Sequence, residues 1–499
     1  MTSGDPEPAG ASPPTESDQP VKAIRNTASL LASRIAIAAM GWAGTMLIAR
    51  TLPATEWGQF SFVFGLLGTM SIFTDLGVGR VVLARLHDRD TAEASRVAMS
   101  FIALRVALGA VGYLVAVLFV VISGYPEQVV IATAAAGIVV AVATPSHALT
   151  VLYQSQLKLT RVAVAEALGQ MAQLLFTIAA VLFSPYLIVF VIPAVINEVV
   201  SIAVKLRGIH EGSVDPRPAG PVQLWRWKEM LREAAPLSLG LLFVEVAWRI
   251  GILILAHADT FDAVGLFAIG YKFADLVLLA AVAVISPFTT LMVVGWPNPQ
   301  RFRSALHRAT AIIAVMCAVG IAAFWPVADD VLGLLYGHRF EAAAFSTRLL
   351  VAAAAMSALA HLGMTALISA GHHRLYPWVA MAALGTNVGT AAVLIPRSSF
   401  EGVAWATLVG EVVLLAGLAV VLSASLRITD VLPLRNVLGS TGIAVLVAAA
   451  GSLAPGLSTL PWPVLATTCG LIAFVCAHML GLTAGLQLAP LLRKMVRRS

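Results

Sequence analysis

Charge is scarce in this sequence. Asp, Glu, Lys and Arg together make up 12% of its 499 residues, about half the share of a soluble protein. So few charges cannot cover a water-facing surface, which excludes a cytosolic enzyme, a secreted domain and a nucleic-acid-binding domain. Cysteine is nearly absent. Cys317, Cys469 and Cys476 lie in apolar runs without metal-ligand spacing and read as packing residues. The signatures of chemistry are missing as well: no Walker-type phosphate loop, no HExxH, no Ser-His-Asp order and no large polar segment to house them. The sequence therefore predicts neither an ATPase nor an enzyme, no metal site and no bound cofactor. The net charge of +6 has a simpler source than nucleic acid, because membrane proteins gather Lys and Arg in their cytoplasmic loops.

What is abundant is apolar length. Hydrophobic residues reach 59% and the mean hydropathy is +0.89. A helix needs about 20 apolar residues to cross the hydrocarbon, and fourteen segments qualify, at roughly 27–49, 60–83, 98–122, 128–152, 161–183, 186–206, 233–256, 263–290, 304–325, 343–369, 375–395, 401–424, 438–454 and 462–486. Backbone groups in lipid must be satisfied within their own segment, so the expected fold is an all-α polytopic membrane protein of about 14 transmembrane helices. Placing the N-terminus in the cytoplasm puts 23 Lys and Arg in cytoplasmic connections, Lys205 among them, and 4 in outside ones. That asymmetry predicts both termini inside.

The chain divides by composition. Residues 1–21 are rich in Pro and acids and read as a disordered cytoplasmic tail. Residues 22–207 form a first lobe of helices 1–6, and 233–426 a second of helices 7–12. Between them, 208–232 is a Pro-, Gly- and charge-rich cytoplasmic linker, in which Trp225 and Trp227 suit the headgroup level. Helices 13–14 and a basic tail occupy 427–499. The lobes echo each other. Gly58-Gln59-Phe60 opens span 2 and Gly265-Leu266-Phe267 opens span 8, 207 residues later. Glu198-Val199-Val200 and Glu411-Val412-Val413 lie 213 apart in spans 6 and 12, and Ala167-Leu168-Gly169 and Ala383-Leu384-Gly385 lie 216 apart in spans 5 and 11. A repeat of six spans re-enters with the same orientation, which predicts a pseudo-two-fold axis along the membrane normal.

Specific residues carry a family resemblance over about 24–425. In the first half these are Ala49-Arg50-Thr51-Leu52, Glu56-Trp57-Gly58-Gln59-Phe60 and Asp75-Leu76-Gly77. In the second they are Leu334-Leu335-Tyr336-Gly337-His338-Arg339-Phe340, then Leu394-Ile395-Pro396, Glu401-Gly402-Val403-Ala404-Trp405-Ala406-Thr407 and Glu411. This order resembles the polysaccharide-biosynthesis, O-antigen (Wzx-like) flippases of the multidrug/oligosaccharidyl-lipid/polysaccharide exporter superfamily. The resemblance implies a two-lobed transporter in the bacterial plasma membrane. Such a protein moves a polyprenyl-pyrophosphate-linked oligosaccharide to the outer leaflet, beside a polysaccharide polymerase or other glycan-assembly proteins. The chain departs from the family at one place: where an acid often precedes the basic residue of span 7, Trp248 precedes Arg249, and Glu245 lies a turn back.

Ionisable residues within spans are costly and are functional candidates by default. Arg34, Arg105, Arg249 and Lys272 are the expected pyrophosphate ligands, since Arg offers a permanently charged bidentate fork. Arg34 and Arg105 lie about 10 Å from the cytoplasmic span ends and also suit snorkelling to headgroups, as does Arg80. Asp75, Glu198, Glu245, Asp275 and Glu411 are candidates for coupling to H+ or Na+ or for charge pairing. Glu245 with Arg249 and Lys272 with Asp275 each share a helix face, and Asp75 could pair with Arg80. His147, His361 and Asn387 are weaker candidates for sugar contacts. Two relatives of the leading reading stay open, a multidrug/cation antiporter and a lipid II flippase, together with a non-transport scaffold for glycan assembly.

Overall fold

The computed structural model describes residues 18–75, 77–87, 91–156, 158–212, 214, 217–296, 298–426, 433–453 and 460–483. The expected tail lies outside the described residues up to residue 17, as does the basic C-terminal stretch 484–499. Among the described residues every regular element is helical: α1 (Asp18–Thr51), α2 (Ala54–Asp75), α3 (Val78–His87), α4 (Thr91–Ile122), α5 (Glu127–Ser155), α6 (Leu159–Phe183), α7 (Leu187–His210), α8 (Leu224–Ala258), α9 (Phe261–Gly295), α10 (Pro299–Phe324), α11 (Ala328–Tyr336), α12 (Ala344–Ser369), α13 (Tyr376–Leu426), α14 (Leu434–Leu453) and α15 (Trp462–Met479). Eleven described segments are long and apolar enough to cross a membrane. One of them, α13, is two helices in sequence, because Ser398 and Ser399 leave helical geometry just after Pro396. The more polar α1 and α2, of 34 and 22 residues, complete fourteen helices of spanning length. The protein is thus a multi-pass membrane protein, and side chains such as Leu114, Leu118 and Ile122 on α4 stand exposed toward lipid.

Local chemistry sets the helix ends. Thr260 caps α9 by accepting from the Ala263 N–H, and Asn298 caps α10 by accepting from those of Gln300 and Arg301. The second span differs from expectation. Hydropathy runs on from 60 to 83, but α2 stops at Asp75, Gly77 takes a left-handed φ of +61° and α3 starts afresh at Val78. Arg105 of α4 fixes this break. Only 2% of its side chain is exposed; Nη1 donates to Asp75 Oδ1 at 2.7 Å and to the Thr74 carbonyl at 2.8 Å, and Nε donates to the Thr144 carbonyl at 3.2 Å. The guanidinium therefore serves a carbonyl and a carboxylate where α2 ends, and ties them to the Thr144 carbonyl of α5.

The two halves repeat one packing scheme. In the first, α4 packs on α5, α2 on α4 and α5, α1 on α6, α6 on α7 and α5 on α7. In the second, α10 packs on α12, α9 on α10 and α12, and α8 on α13, which also packs on α12. The appended α14 and α15 lie on α10. The halves meet where α2 crosses α9, and the meeting is symmetric. A Cβ on Gly58 would sit 1.7 Å from the Phe261 carbonyl oxygen, and one on Gly265 would sit 3.1 Å from that of Ala54. Residues 54 and 58 correspond to 261 and 265 at the repeat offset of 207, so each half offers the other the same contact. Trp57 Nε1 donates to the Gly265 carbonyl at 3.0 Å and Thr55 Oγ1 to Asp262 Oδ1 at 2.6 Å.

The family-like Leu334–Phe340 segment strengthens this side. Tyr336 and Phe340 are buried, and Arg339 donates to the carbonyls of Ala49 and Leu52, the latter at 2.6 Å. Arg50 donates in return to the Leu334 carbonyl. The crossing and this clasp lie on the far face. The opposite face, which holds α3 and the 211–223 connection, is called the basic face here.

Two outcomes follow from these contacts. Gly58→Val forces the backbones apart; overpacking of about 1–3 kcal/mol weakens far-face closure by roughly five- to 150-fold. Labelling of a cysteine placed at Asp262 by a membrane-impermeant maleimide should rise accordingly. Arg105→Gln leaves Asp75 and two carbonyls short of partners. It should lower stability by about 2 kcal/mol, discounted because Asp75 is half-exposed, read as a fall in thermal midpoint in detergent, with Asp75→Asn milder.

Candidate functional site

From the far-face crossing the halves diverge toward the basic face and enclose a cavity of about 740 Å³. α2 supplies Gly68, Ser71 and Asp75; α3 supplies Gly79; α5 supplies His147, Thr150 and Gln154; α8 supplies Ser238, Glu245 and Arg249. The break at Gly77 matters for this shape, because it turns α3 aside while leaving Asp75 at the cavity wall. Arg249 marks the deep end, where its guanidinium packs so closely on Gly68 that a Cβ there would lie 2.5 Å from Nη1. The walls are asymmetric. α2 packs on α8, whereas the repeat-equivalent pair, α9 and α1, forms no comparable seam among the described residues.

The four expected phosphate ligands are not one constellation. Arg249 lines the cavity. Lys272 stands on the neighbouring α9, and both act electrostatically on Asp275. Among the described residues no ion pair within 4.0 Å joins Glu245 to Arg249 or Lys272 to Asp275; sharing a helix face did not bring them into contact. Arg105 sits behind the wall with its donors given to the end of α2, so it orients Asp75 instead of facing the cavity. Asp75 accordingly pairs with Arg105; the side chain of Arg80 lies outside the described residues. Arg34 is exposed on α1 and meets Glu166 of α6 at 2.9 Å, away from the cavity lining.

Two buried clusters complete the picture. In the first half, Lys205 was expected in a cytoplasmic connection but is 3% exposed inside α7. Its Nζ donates to Ser146 Oγ at 2.9 Å, and its carbonyl accepts from Tyr153 at 2.7 Å. Glu198 and Glu166 lie within its electrostatic reach. In the second half, Glu411 is 4% exposed. It faces Ser357 of α12 and Trp248 of α8, and Trp248 Nε1 donates to Ser357 Oγ at 3.2 Å. Glu411 Oε2 has no hydrogen-bond partner, nor has Oδ1 of Asn387, whose Nδ2 donates to the Ala247 carbonyl at 3.2 Å. Asn387 packs on Gly410, the neighbour of Glu411. His361 spends its Nδ1 on the Ser357 carbonyl at 2.9 Å, while His147 does face the cavity. Trp248, the departure from the family pattern, thus turns into the core beside a carboxylate; nothing in the local sequence signals that.

Glu211, just past α7, accepts from Arg161 and Arg207 at 2.9 Å each, and these bonds hold its carboxyl below the usual range.

Comparison with known proteins fits this architecture. No curated protein is significantly similar in sequence. Among solved structures, the lipid II flippase MurJ in an inward closed conformation superposes with a TM-score of 0.71 at 12% identity, over 90% of this chain and 98% of its own. A multidrug-resistance MATE transporter of the MOP superfamily in its inward-facing conformation gives 0.66 at 14% identity, over 80% and 99%. An outward-facing MATE structure gives 0.58 at 13%, over 81% and 96%. These likenesses establish the fold. The family profile described as polysaccharide biosynthesis protein matches residues 23–294, more than half of the sequence, and the chain belongs to that family.

Proposed function

We propose that this protein flips a polyprenyl-pyrophosphate-linked oligosaccharide from the cytoplasmic to the outer leaflet of a bacterial plasma membrane, with both termini in the cytoplasm. The observation that carries the reading is one cavity, between repeat-related halves, sealed on one face and ending at a guanidinium. A cavity of this kind accepts a headgroup from one leaflet. Exchange of the seal to the opposite face delivers it to the other. Arg249 holds the pyrophosphate through its planar fork, with Lys272 nearby as a second cation. The polyprenyl tail stays in lipid, and the weaker seam between α1 and α9, where Trp42 meets Phe273 edge-on, is the side on which it leaves the headgroup. Arg34 and Arg105 act in this scheme as structural partners of Glu166 and Asp75.

An H+ or Na+ gradient resets the cycle through Glu411. Its bare Oε2 and the Oδ1 of Asn387 are two buried acceptors that a proton or a small cation would satisfy. The same carboxylates that line the cavity, Asp75 and Glu245, also support a second reading, a multidrug/cation antiporter, since acids attract organic cations.

The test is a leaflet assay in a deletion strain complemented with variants. A charge-assisted bond contributes about 1.5–3 kcal/mol, so Arg249→Ala at normal protein level should cut outward arrival of lipid-linked oligosaccharide at least tenfold, and Lys272→Ala, which acts on the cavity through space and not by contact, should cut it less. Normal arrival in both variants overturns the assignment. Normal glycan with lost resistance to cationic drugs moves the protein to the antiporter reading. In the same assay, collapsing the ion gradient should slow wild type but leave the residual rate of Glu411→Gln unchanged.

A further inference from the structure

Resting on the flippase reading above, we infer that the glycan carried by this protein has no acidic group of its own: it is neutral or bears amino groups. The lining of the cavity carries the inference. Between Ser238 and Arg249, α8 spans about 16 Å of cavity wall at 1.5 Å per residue, and among the described residues Arg249 is the one guanidinium or ammonium along the whole lining. A pyrophosphate anchored there uses that charge. The remaining wall offers a glycan the carboxylates of Asp75 and Glu245, with Ser71, His147, Thr150, Gln154 and Ser238 beside them.

The orientation of each charge matters more than its count. Asp75 is 57% exposed, while its partner Arg105 is 2% exposed and lies behind it. The pair is close to neutral as a whole, but the atoms that meet a ligand are carboxylate oxygens. Glu245 is likewise exposed and makes no ion pair within 4.0 Å among the described residues. Arg85 on α3 is engaged by Glu229 and Glu233, and Lys272 does not line the cavity. Carboxylate oxygens accept hydrogen bonds from sugar hydroxyls and ammonium groups. A uronate, sulfate or phosphate on the glycan meets like charge there, and among the described residues the lining holds no cation besides Arg249 to offset it. Selection then works by rejecting the wrong substrate as much as by holding the right one.

The full-length protein in proteoliposomes can be given polyprenyl-pyrophosphate disaccharides that differ only in the second sugar: a neutral hexose, an amino sugar or a uronic acid. Outward exposure is read with a membrane-impermeant glycosidase or periodate. The neutral and amino lipids should cross at least tenfold faster than the uronate lipid. Glu245→Gln, and independently Asp75→Asn, should narrow that ratio at least threefold, whatever happens to the absolute rates. Equal or faster crossing of the uronate lipid overturns the inference and leaves the flippase reading standing. A ratio unmoved by both substitutions overturns the role of the carboxylates. If no lipid crosses while a lipophilic cation does, the flippase reading falls and the inference falls with it.

Discussion

Everything in this molecule hangs on how closely two helix backbones approach at one crossing. Gly58 and Gly265 carry no Cβ, so α2 and α9 touch through their main chains near the far face. In lipid there is no hydrophobic drive to press helices together, and small residues supply the contact that association needs. Because the contact is the same from either side, a single repeat unit, once duplicated, could form it. Helices fastened at one end and straight thereafter must splay at the other. The cavity is the consequence of that splay, and its position near the basic face follows from where the glycines lie. Arg50 and Arg339, each reaching carbonyls of the opposite half, lock the same end. Opening the far face therefore requires both to be released.

The second constraint is the cost of polar groups away from water. Arg105 and Lys205 are both more than nine-tenths buried, which no isolated charge would tolerate. Each is met by partners that the fold supplies from a distance: Thr74 and Thr144 carbonyls for Arg105, Ser146 for Lys205. Those partners define their roles. The Arg105 guanidinium, buried and bonded to two carbonyls and the Asp75 carboxylate, is the device that ends α2 and presents Asp75. Arg249 differs because the divergence of the halves leaves its head in open space. In the proposed scheme, position along the splay, not residue type, separates the structural from the ligand-facing basic residues.

That separation explains what could be read in advance. Helices, their number and the repeat were legible because long apolar runs and backbone satisfaction leave one solution in lipid. The far-face contact was half legible: the matching Gly58 and Gly265 motifs were visible, but not that they touch. Hydropathy overran α2 because Val81, Val82 and Leu83 are as apolar as the span before them, and a single left-handed glycine has no hydropathy signature. Counting Lys205 with a loop failed for a related reason, since its depth is set by Ser146 and Tyr153, more than fifty residues away. The i,i+4 spacing of Glu245 and Arg249 places both on one face but says nothing about whether a cavity lies in front of it.

The repeat also makes an asymmetry measurable. Glu198 and Glu411 correspond at an offset of 213, and at that same offset Lys205 corresponds to Leu418. In the first half an ammonium therefore stands within electrostatic reach of the carboxylate; in the second the equivalent position is a leucine, 1% exposed. Glu198 has a cation built into its own helix, two turns on. Glu411 has two neutral donors near it and an oxygen with none. A carboxylate with a cation of its own chain nearby gains less from a proton or a metal ion than a bare one in the same fold. Two copies of one structural unit have thus diverged in charge, one closed on itself and one left to be completed from outside. On the flippase reading proposed above, that difference is the reason to place a coupling ion in the second half, next to α8, the helix that also carries Arg249 to the cavity.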